Sequence, residues 1–429
     1  MSFTVSDNNR IFALVDVNNF YVSCERAFDI SLLNKAAVVL SNNDGCCIAR
    51  SNEAKKMNIS MGKPFFEVRH LEESGLLEVR SSNYALYADM SERFKKTLLH
   101  FTPDLEAYSI DECFLDLSKM KITNLEAAAS DIRNTVLKWI HLPVCVGIAP
   151  TKALAKLANH TAKKNPSLNG VCVLTDSSEI RTWLSRTSVQ DVWGIGPAYA
   201  KLLNKSGIHN ALAFSEMDDS WLRKNMTVHG FHLARELRGI SCMDLELIPP
   251  PKKGITVSRS FGARITELKD LKEAVALYAS RASEKLWQEK RMASSISVMI
   301  RSDPFKKEES YYSNSQNAVF RTPTDNMNEI IKTALLLLDD IYRKGYRYKK
   351  AGVMLEHLIA ASECPGQLFQ EHNIKKIHAL NALIRHANSG KKNSLVYAAS
   401  GASDAFWHTK FCKRSPRYTS RWSELPRVK

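Results

Sequence analysis

A chain of 429 residues has room for roughly three domains of ordinary size, so a small module held by staples is excluded. Hydrophobic residues make up 44% and charged residues 24%, a globular balance that excludes a fibrous or disordered chain. The formal charge of +15 points to a polyanionic partner, nucleic acid before acidic membrane, and twelve Lys/Arg against three acids between Glu371 and Lys429 place much of it at the C-terminus.

Taken in chain order, Ile11 to Val15 is an apolar run ending in Asp16, which predicts a buried strand that delivers a carboxylate at its C-terminal end. Leu86, Met90, Phe94 and Leu98 recur four apart within Asn83 to His100, a helix stripe. Leu105 to Leu117 is extended and splits around Ser109-Ile110-Asp111-Glu112 as a tight hairpin would. Leu125, Ala129, Ile132, Val136 and Ile140 form a second stripe, and Val144, Val146 and Ile148 alternate as a strand. The order β, α, β, β, α, β is the split-βαβ, ferredoxin-like pattern. In that topology the first strand lies antiparallel beside the third, so Asp16 should meet the hairpin acids. Tyr21 to about Gly75 is too long for a loop and reads as an inserted subdomain.

Beyond Asp176 short helices surround Trp193-Gly194-Ile195-Gly196-Pro197, and Pro249-Pro250-Pro251-Lys252-Lys253-Gly254 reads as a stiff linker. A small α/β domain follows, with Ile255 to Phe261, Ser294 to Arg301 and Ala351 to His357 strand-like, and Leu268 to Lys290 and Asn326 to Lys344 helical. From Glu363 onward the apolar spacing weakens into a basic tail. The nine cysteines are scattered with no C-x-x-C pair and read as reduced thiols. No signal-type N-terminus and no run long enough to span a bilayer is present, so a cytoplasmic location without a membrane partner is expected.

Asp16, Asp111 and Glu112 are the central constellation. Carboxylates brought together repel, and hard oxygen donors select Mg²⁺, two of which could clamp an in-line phosphoryl transfer. An Asp-Glu pair at a turn, taken alone, is as well explained by solvated turn acids. Asp16-Val17-Asn18-Asn19-Phe20-Tyr21, Tyr108-Ser109-Ile110-Asp111-Glu112 and Ala155-Lys156-Leu157-Ala158-Asn159 together resemble the Y-family translesion DNA polymerases. Ser41-Asn42-Asn43-Asp44-Gly45-Cys46, Ser82 to Met90, Asp191-Val192-Trp193-Gly194-Ile195-Gly196 and Ser415-Pro416-Arg417-Tyr418 are similar to the UmuC group, which includes the catalytic subunit of bacterial DNA polymerase V.

The resemblance implies an α+β multidomain chain: a ferredoxin-like palm at 1–22 and 76–175, inserted fingers at 23–75, a helical thumb with a helix-hairpin-helix at 176–245, a linker at 246–254, an α/β little finger at 255–360 and a partner-binding basic tail at 361–429. It implies that Asp16, Asp111, Glu112 and the Val17 backbone carbonyl hold two Mg²⁺, and Asn18, where many members carry a second Asp, is not counted as a ligand. Phe20 and Tyr21 would line the nucleotide site, with Tyr21 as a steric gate against the 2′-hydroxyl. Lys55 and Lys156 would meet the triphosphate. Gly194, Ile195 and Gly196 would approach a DNA phosphate, and Arg259, Arg301, Lys349 and Lys350 would contact duplex DNA. Gln367-Leu368-Phe369 falls where members carry a sliding-clamp peptide.

The implied activity is error-prone DNA-directed DNA synthesis past template lesions in the SOS response to DNA damage. Primer-template DNA and dNTPs are the substrates. The implied partners are a processed UmuD-type dimer, a RecA-type recombinase filament and the sliding clamp. A nucleotide cyclase could share the palm chemistry but has no need of the hairpin, linker and basic C-terminal domain. A catalytically silent DNA-binding regulator of the SOS response is the remaining alternative, and the intact acids count against it.

Overall fold

The computed structural model describes residues 10–306, 308–364, 379–384, 386–388, 395, 397–401 and 405–425. It divides into two compact units. The first comprises Met1–Ser41, Gly45–Pro249 and Lys413–Lys429, and the second Asn42–Asp44 and Pro250–Cys412.

In the first unit the chain runs through β1 (Phe12–Val17), α1 (Phe20–Phe28), β2 (Ala37–Leu40), β3 (Cys47–Arg50), α2 (Asn52–Lys56), α3 (Phe65–Glu73), β4 (Glu78–Ser81) and α4 (Tyr84–Leu98). It continues with β5 (Leu105–Ala107), β6 (Glu112–Asp116), α5 (Leu125–Ile140), β7 (Val144–Ala149), α6 (Lys152–Lys164) and β8 (Val171–Val173). The helices α7 (Ser177–Arg186), α8 (Pro197–Lys205), α9 (Ala211–Ser215) and α10 (Asp219–Leu237) follow.

The main sheet has the order β5-β6-β1-β7-β8, with β1 central and antiparallel to both neighbours, as the split-βαβ reading requires. The second sheet, β3-β2-β4, lies in the inserted region and takes in β4, just beyond the expected 23–75 span, because β4 pairs in parallel with β2.

Every residue of β1 is buried, and the pleat divides them between two cores. Ala13, Val15 and Val17 pack with Cys113 and Leu115 against α1, α4 and α5. Phe12 and Leu14 pack with Phe114 against α6 and the helices that follow it. Asp16 and Glu112 have the parity of the second set, so both fall on the α6 side. Glu236, fully buried on α10, fixes that side: its Oε2 accepts from the Ala153 amide (3.1 Å) and its Oε1 from the Cys242 and Met243 amides (2.6 and 3.0 Å).

The second unit contains β9 (Gly254–Ile265), α11 (Leu268–Gln288), β10 (Arg291–Ser302), β11 (Ser313–Thr324), α12 (Met327–Ile341) and β12 (Tyr348–Ala360). Its antiparallel sheet has the order β11-β10-β12-β9, and α11 and α12 cover one face of it through Ile296, Val298, Val353 and Leu355. The edge strand β11 was not apparent from the sequence pattern, because only Phe320 and Thr324 of its residues are buried. Among the described residues no helix is long and apolar enough to cross a membrane.

Candidate active site

The register of β1 against β6 places Asp16 directly opposite Glu112. Side chains opposite one another in such a pair have their Cβ atoms about 5 Å apart, so the two carboxyl groups must interact. They are hydrogen-bonded to each other. Burial, and then the bond with Glu112, push the Asp16 carboxyl up to about 7. Burial also opposes ionisation of Glu112, but hydrogen bonds with Asp16 and Lys156 outweigh it and hold that carboxyl below its ordinary value. The environment thus sets the two carboxyls apart, Asp16 toward its protonated form and Glu112 toward its charged form.

Both acids are faced by lysines from α6. Lys152, Lys156, Asn159 and Lys163 follow the helical repeat and form one stripe toward the sheet. Lys163 Nζ lies 2.5 Å from Asp16 Oδ2, and Lys156 Nζ lies 2.9 and 2.8 Å from the two Glu112 oxygens. Asn159 anchors the helix between them by donating to the Cys145 carbonyl (2.7 Å) and the Leu14 carbonyl (3.3 Å). Gly147 of β7 permits this approach, since a Cβ there would sit 2.2 Å from the Asn159 amide nitrogen. Lys152 is spent elsewhere, in a buried ion pair with Glu106 at 2.6 Å.

Lys156 is also caged by aromatic rings, 4.6 Å from the centroid of Tyr108, 5.7 Å from Trp193 and 5.9 Å from Phe114. Trp193 Nε1 donates to the Tyr108 hydroxyl at 3.0 Å, joining the 191–196 turn to the acidic hairpin. A cavity of about 250 Å³ opens beside Asp16, Glu112, Lys156 and Lys163.

Asp111 follows the other parity. Its backbone carbonyl accepts from the Val17 amide at 2.9 Å, but its carboxylate accepts from the Ser109 hydroxyl at 2.6 Å. Its charge acts on Tyr21, Cys24 and Cys113, which belong to the α1 side of the sheet. The structure thus brings two of the three expected acids together and leaves the third at the same hairpin, turned toward Tyr21. Among the described residues no group of three or more acidic, His or Cys side chains gathers in metal-binding geometry. The donor chemistry nonetheless fits a hard cation: two facing carboxyl groups that retain a proton and draw in two ammonium groups are short of positive charge.

Tyr21 is the second residue of α1, and its half-buried ring stacks on Tyr87 at 4.4 Å and 15°. Tyr84 meets it edge-on at 6.3 Å. Phe20 is buried and tilted against the same ring at 5.6 Å, a core position. Lys55 lies on α2, where burial and then the charges of Arg50 and Lys163 hold its ammonium below the ordinary range while Asp16 opposes the shift. Lys55 and Lys163 thus share one field beside Asp16. Sequence reasoning missed Lys163, whose only signal was its place two helical turns beyond Lys156.

The remaining expected contacts divide. Gly194 has a left-handed φ of 86°, and Gly196 caps α8 with Pro197 at its first turn, while the Ile195 side chain is buried in the core. In the second unit Arg301 and Lys350 are paired across β10 and β12 with the parity of the face opposite α11 and α12, and burial, then the charge of Arg301, hold the Lys350 ammonium below its ordinary range. Arg259 instead acts on Tyr278 of α11, and Lys349 donates to the Phe261 carbonyl at 3.1 Å. Gln367, Leu368 and Phe369 lie outside the described residues.

Residues 15–160 match the impB/mucB/samB family, residues 252–368 its C-terminal domain, and residues 380–428 a domain of unknown function, DUF4113. The chain is 44% identical to Protein UmuC of Salmonella typhimurium, covering 98% of this chain and 100% of that protein. It is 39% identical to Protein MucB of Escherichia coli over 97% and 99% of the two chains, and 27% identical to DNA polymerase IV 1 of Bacillus subtilis over 76% and 77%. Among solved structures a Y-family DNA polymerase chimera, Dbh-Dpo4(243-245)-Dbh, superposes with a TM-score of 0.65 at 20% identity, over 82% of this chain and 99% of that one. The insertion ternary complex of Dbh DNA polymerase gives 0.54 at 21%, over the same shares. The chain belongs to the impB/mucB/samB family, stands with UmuC within it, and carries the fold of the Y-family DNA polymerases.

Proposed function

We propose that the chain is an error-prone, DNA-directed DNA polymerase of translesion synthesis. The primer 3′-hydroxyl attacks the α-phosphorus of a dNTP, the bond to the bridging oxygen breaks, and pyrophosphate leaves. The observation that carries the reading is the facing pair on the palm sheet, buried Asp16 and half-buried Glu112, met by Lys163 and Lys156.

Asp16, Glu112 and the Val17 carbonyl would hold Mg²⁺, with Asp111 joining them on release from Ser109. Two such ions supply charge neutralisation for the attacking and leaving oxygens of phosphoryl transfer. Lys163 and Lys55 face the negative charge that grows on the departing pyrophosphate. Lys156, held by its three rings, keeps Glu112 ionised and aimed. Tyr21, braced by Tyr87, puts bulk under the sugar and turns away a 2′-hydroxyl. Arg301 and Lys350 grip duplex backbone from an open sheet face, a contact that carries no sequence information.

The setting is the SOS response, with a processed UmuD-type dimer and a sliding clamp as partners of the basic tail and a RecA-type filament as a further partner. Primer extension opposite an abasic site, with and without those proteins, tests the reading. Nucleotide incorporation is the expected result; none in the full assembly leaves a DNA-binding role.

A further inference from the structure

The C-terminal segment beginning at Lys413 returns to the first unit and lies along α1. Its backbone is fixed to the end of β4: Ser81 N donates to the Lys413 carbonyl at 3.0 Å, and Lys413 N donates to Ser81 Oγ at 2.8 Å. Lys413 Nζ pairs with Glu72 at 2.6 Å, and Tyr418 stacks on Phe28 at 5.0 Å with the rings 3° apart.

Between these anchors Ser415 enters the interior. Asn83 Nδ2 donates to Ser415 Oγ at 2.9 Å and to the Ser415 and Pro416 carbonyls at 3.3 and 3.2 Å. Ser415 Oγ donates in turn to Glu25 Oε1 at 3.1 Å, and the Tyr87 hydroxyl donates to the same oxygen at 2.7 Å. Glu25 is 1% exposed, and its Oε2 is buried without a partner. A buried carboxylate so short of donors depends on each one it has. Tyr21, Glu25 and Phe28 lie at i, i+4 and i+7 of α1, one face of the helix. The far side of Tyr87 is the ring against which Tyr21 stacks.

We propose that Ser415 is a positioning residue for sugar selection: through Glu25 and Tyr87 it fixes the ring of Tyr21, so discrimination against ribonucleotides depends on the docked C-terminal segment. The proposal rests on the reading of Tyr21 as the gate. With Ser415 removed, Glu25 Oε1 keeps only the Tyr87 hydroxyl as a donor, the carboxylate that holds the Tyr87 ring loses its anchor to the C-terminal segment, and the Tyr21 ring gains room to yield to a 2′-hydroxyl.

The test is single-nucleotide incorporation of dCTP and CTP opposite template dG by the full chain with its partner proteins, comparing wild type, Ser415→Ala, Ser415→Thr and Tyr21→Ala. Ser415→Ala is expected to lower the preference for dCTP by about threefold to tenfold, the scale of one hydrogen bond, through a rise in kcat/KM for CTP while that for dCTP is unchanged. Ser415→Thr, which keeps the hydroxyl, restores the preference. Tyr21→Ala loses the preference outright if the gate reading is right. A Ser415→Ala enzyme that keeps wild-type preference while Tyr21→Ala loses it overturns the proposal alone, as does an equal fall on both nucleotides. Retained preference in Tyr21→Ala overturns the gate reading and the proposal with it. Fluorine NMR of 3-fluorotyrosine protein reads the same coupling without turnover: the Tyr21 resonance, assigned with Tyr21→Phe, shifts in Ser415→Ala, and an unmoved resonance overturns the proposal.

Discussion

The two units carry their charge in opposite ways. In the first, a buried Asp16 and a half-buried Glu112 are opposed in strand register and each is ion-paired with a lysine of α6, so each group's state depends on its neighbour. In the second, Arg301 and Lys350 stand side by side on the sheet face opposite α11 and α12. Opposed, ion-paired charge suits a site where charge changes during a reaction; adjacent like charge suits a surface that holds a polyanion. Substitutions in the two regions should therefore separate turnover from binding.

The largest effect is expected in the first unit. Asp111→Ala and Glu112→Ala should each reduce incorporation by about a thousandfold or more while primer-template affinity stays within about twofold, because their role lies in the transition state. Gel-shift titration beside quench-flow measures both. Tyr21→Ala should raise ribonucleotide insertion by about a hundredfold, read from the ratio of kcat/KM values. Lys163→Ala should cost about tenfold to a hundredfold in kcat/KM for dNTP, as for loss of one preorganised electrostatic contact.

The smallest effect is expected in the second unit. Arg301→Ala with Lys350→Ala should weaken primer-template binding by a few-fold and lower the slope of log Kd against log salt by about two, with the rate from bound complex unchanged. A fall in that bound-state rate would erase the contrast between the units.

Proton linkage sharpens the same contrast. The Asp16 carboxyl is raised from 3.8 to about 7, so its folded form favours the proton. That contribution to stability is complete below pH 3.8 and is lost as pH rises to about 7. Metal-free wild type should lose thermal stability over that interval relative to Asp16→Asn, a difference calorimetry at pH 5 and pH 8 would reveal.

Much of this was written in local sequence. Six residues ending in Asp16 announced a buried strand, and the spacing of two apolar stripes around a hairpin gave the strand order that sets Asp16 against Glu112. Asp111 shows a signal that was present but unused: neighbours near a strand end point to opposite faces, so Asp111 and Glu112 need not share one. Lys163 could not be told from a solvated helix lysine without knowing which face of α6 meets the sheet. The strand β11 is polar because it lies at an edge, where alternation is weakly enforced. Glu25 and Ser415 are 390 residues apart, and no local pattern encodes that contact.

The pairing across β1 and β6 is tested most directly by Asp16→Asn in single-turnover incorporation at a primer terminus, with DNA affinity measured on the same preparation. The expected result is a folded protein that binds primer-template as wild type does and adds no nucleotide. Incorporation at the wild-type rate would contradict the account, because the reaction would then occur away from the Asp16 and Glu112 pair.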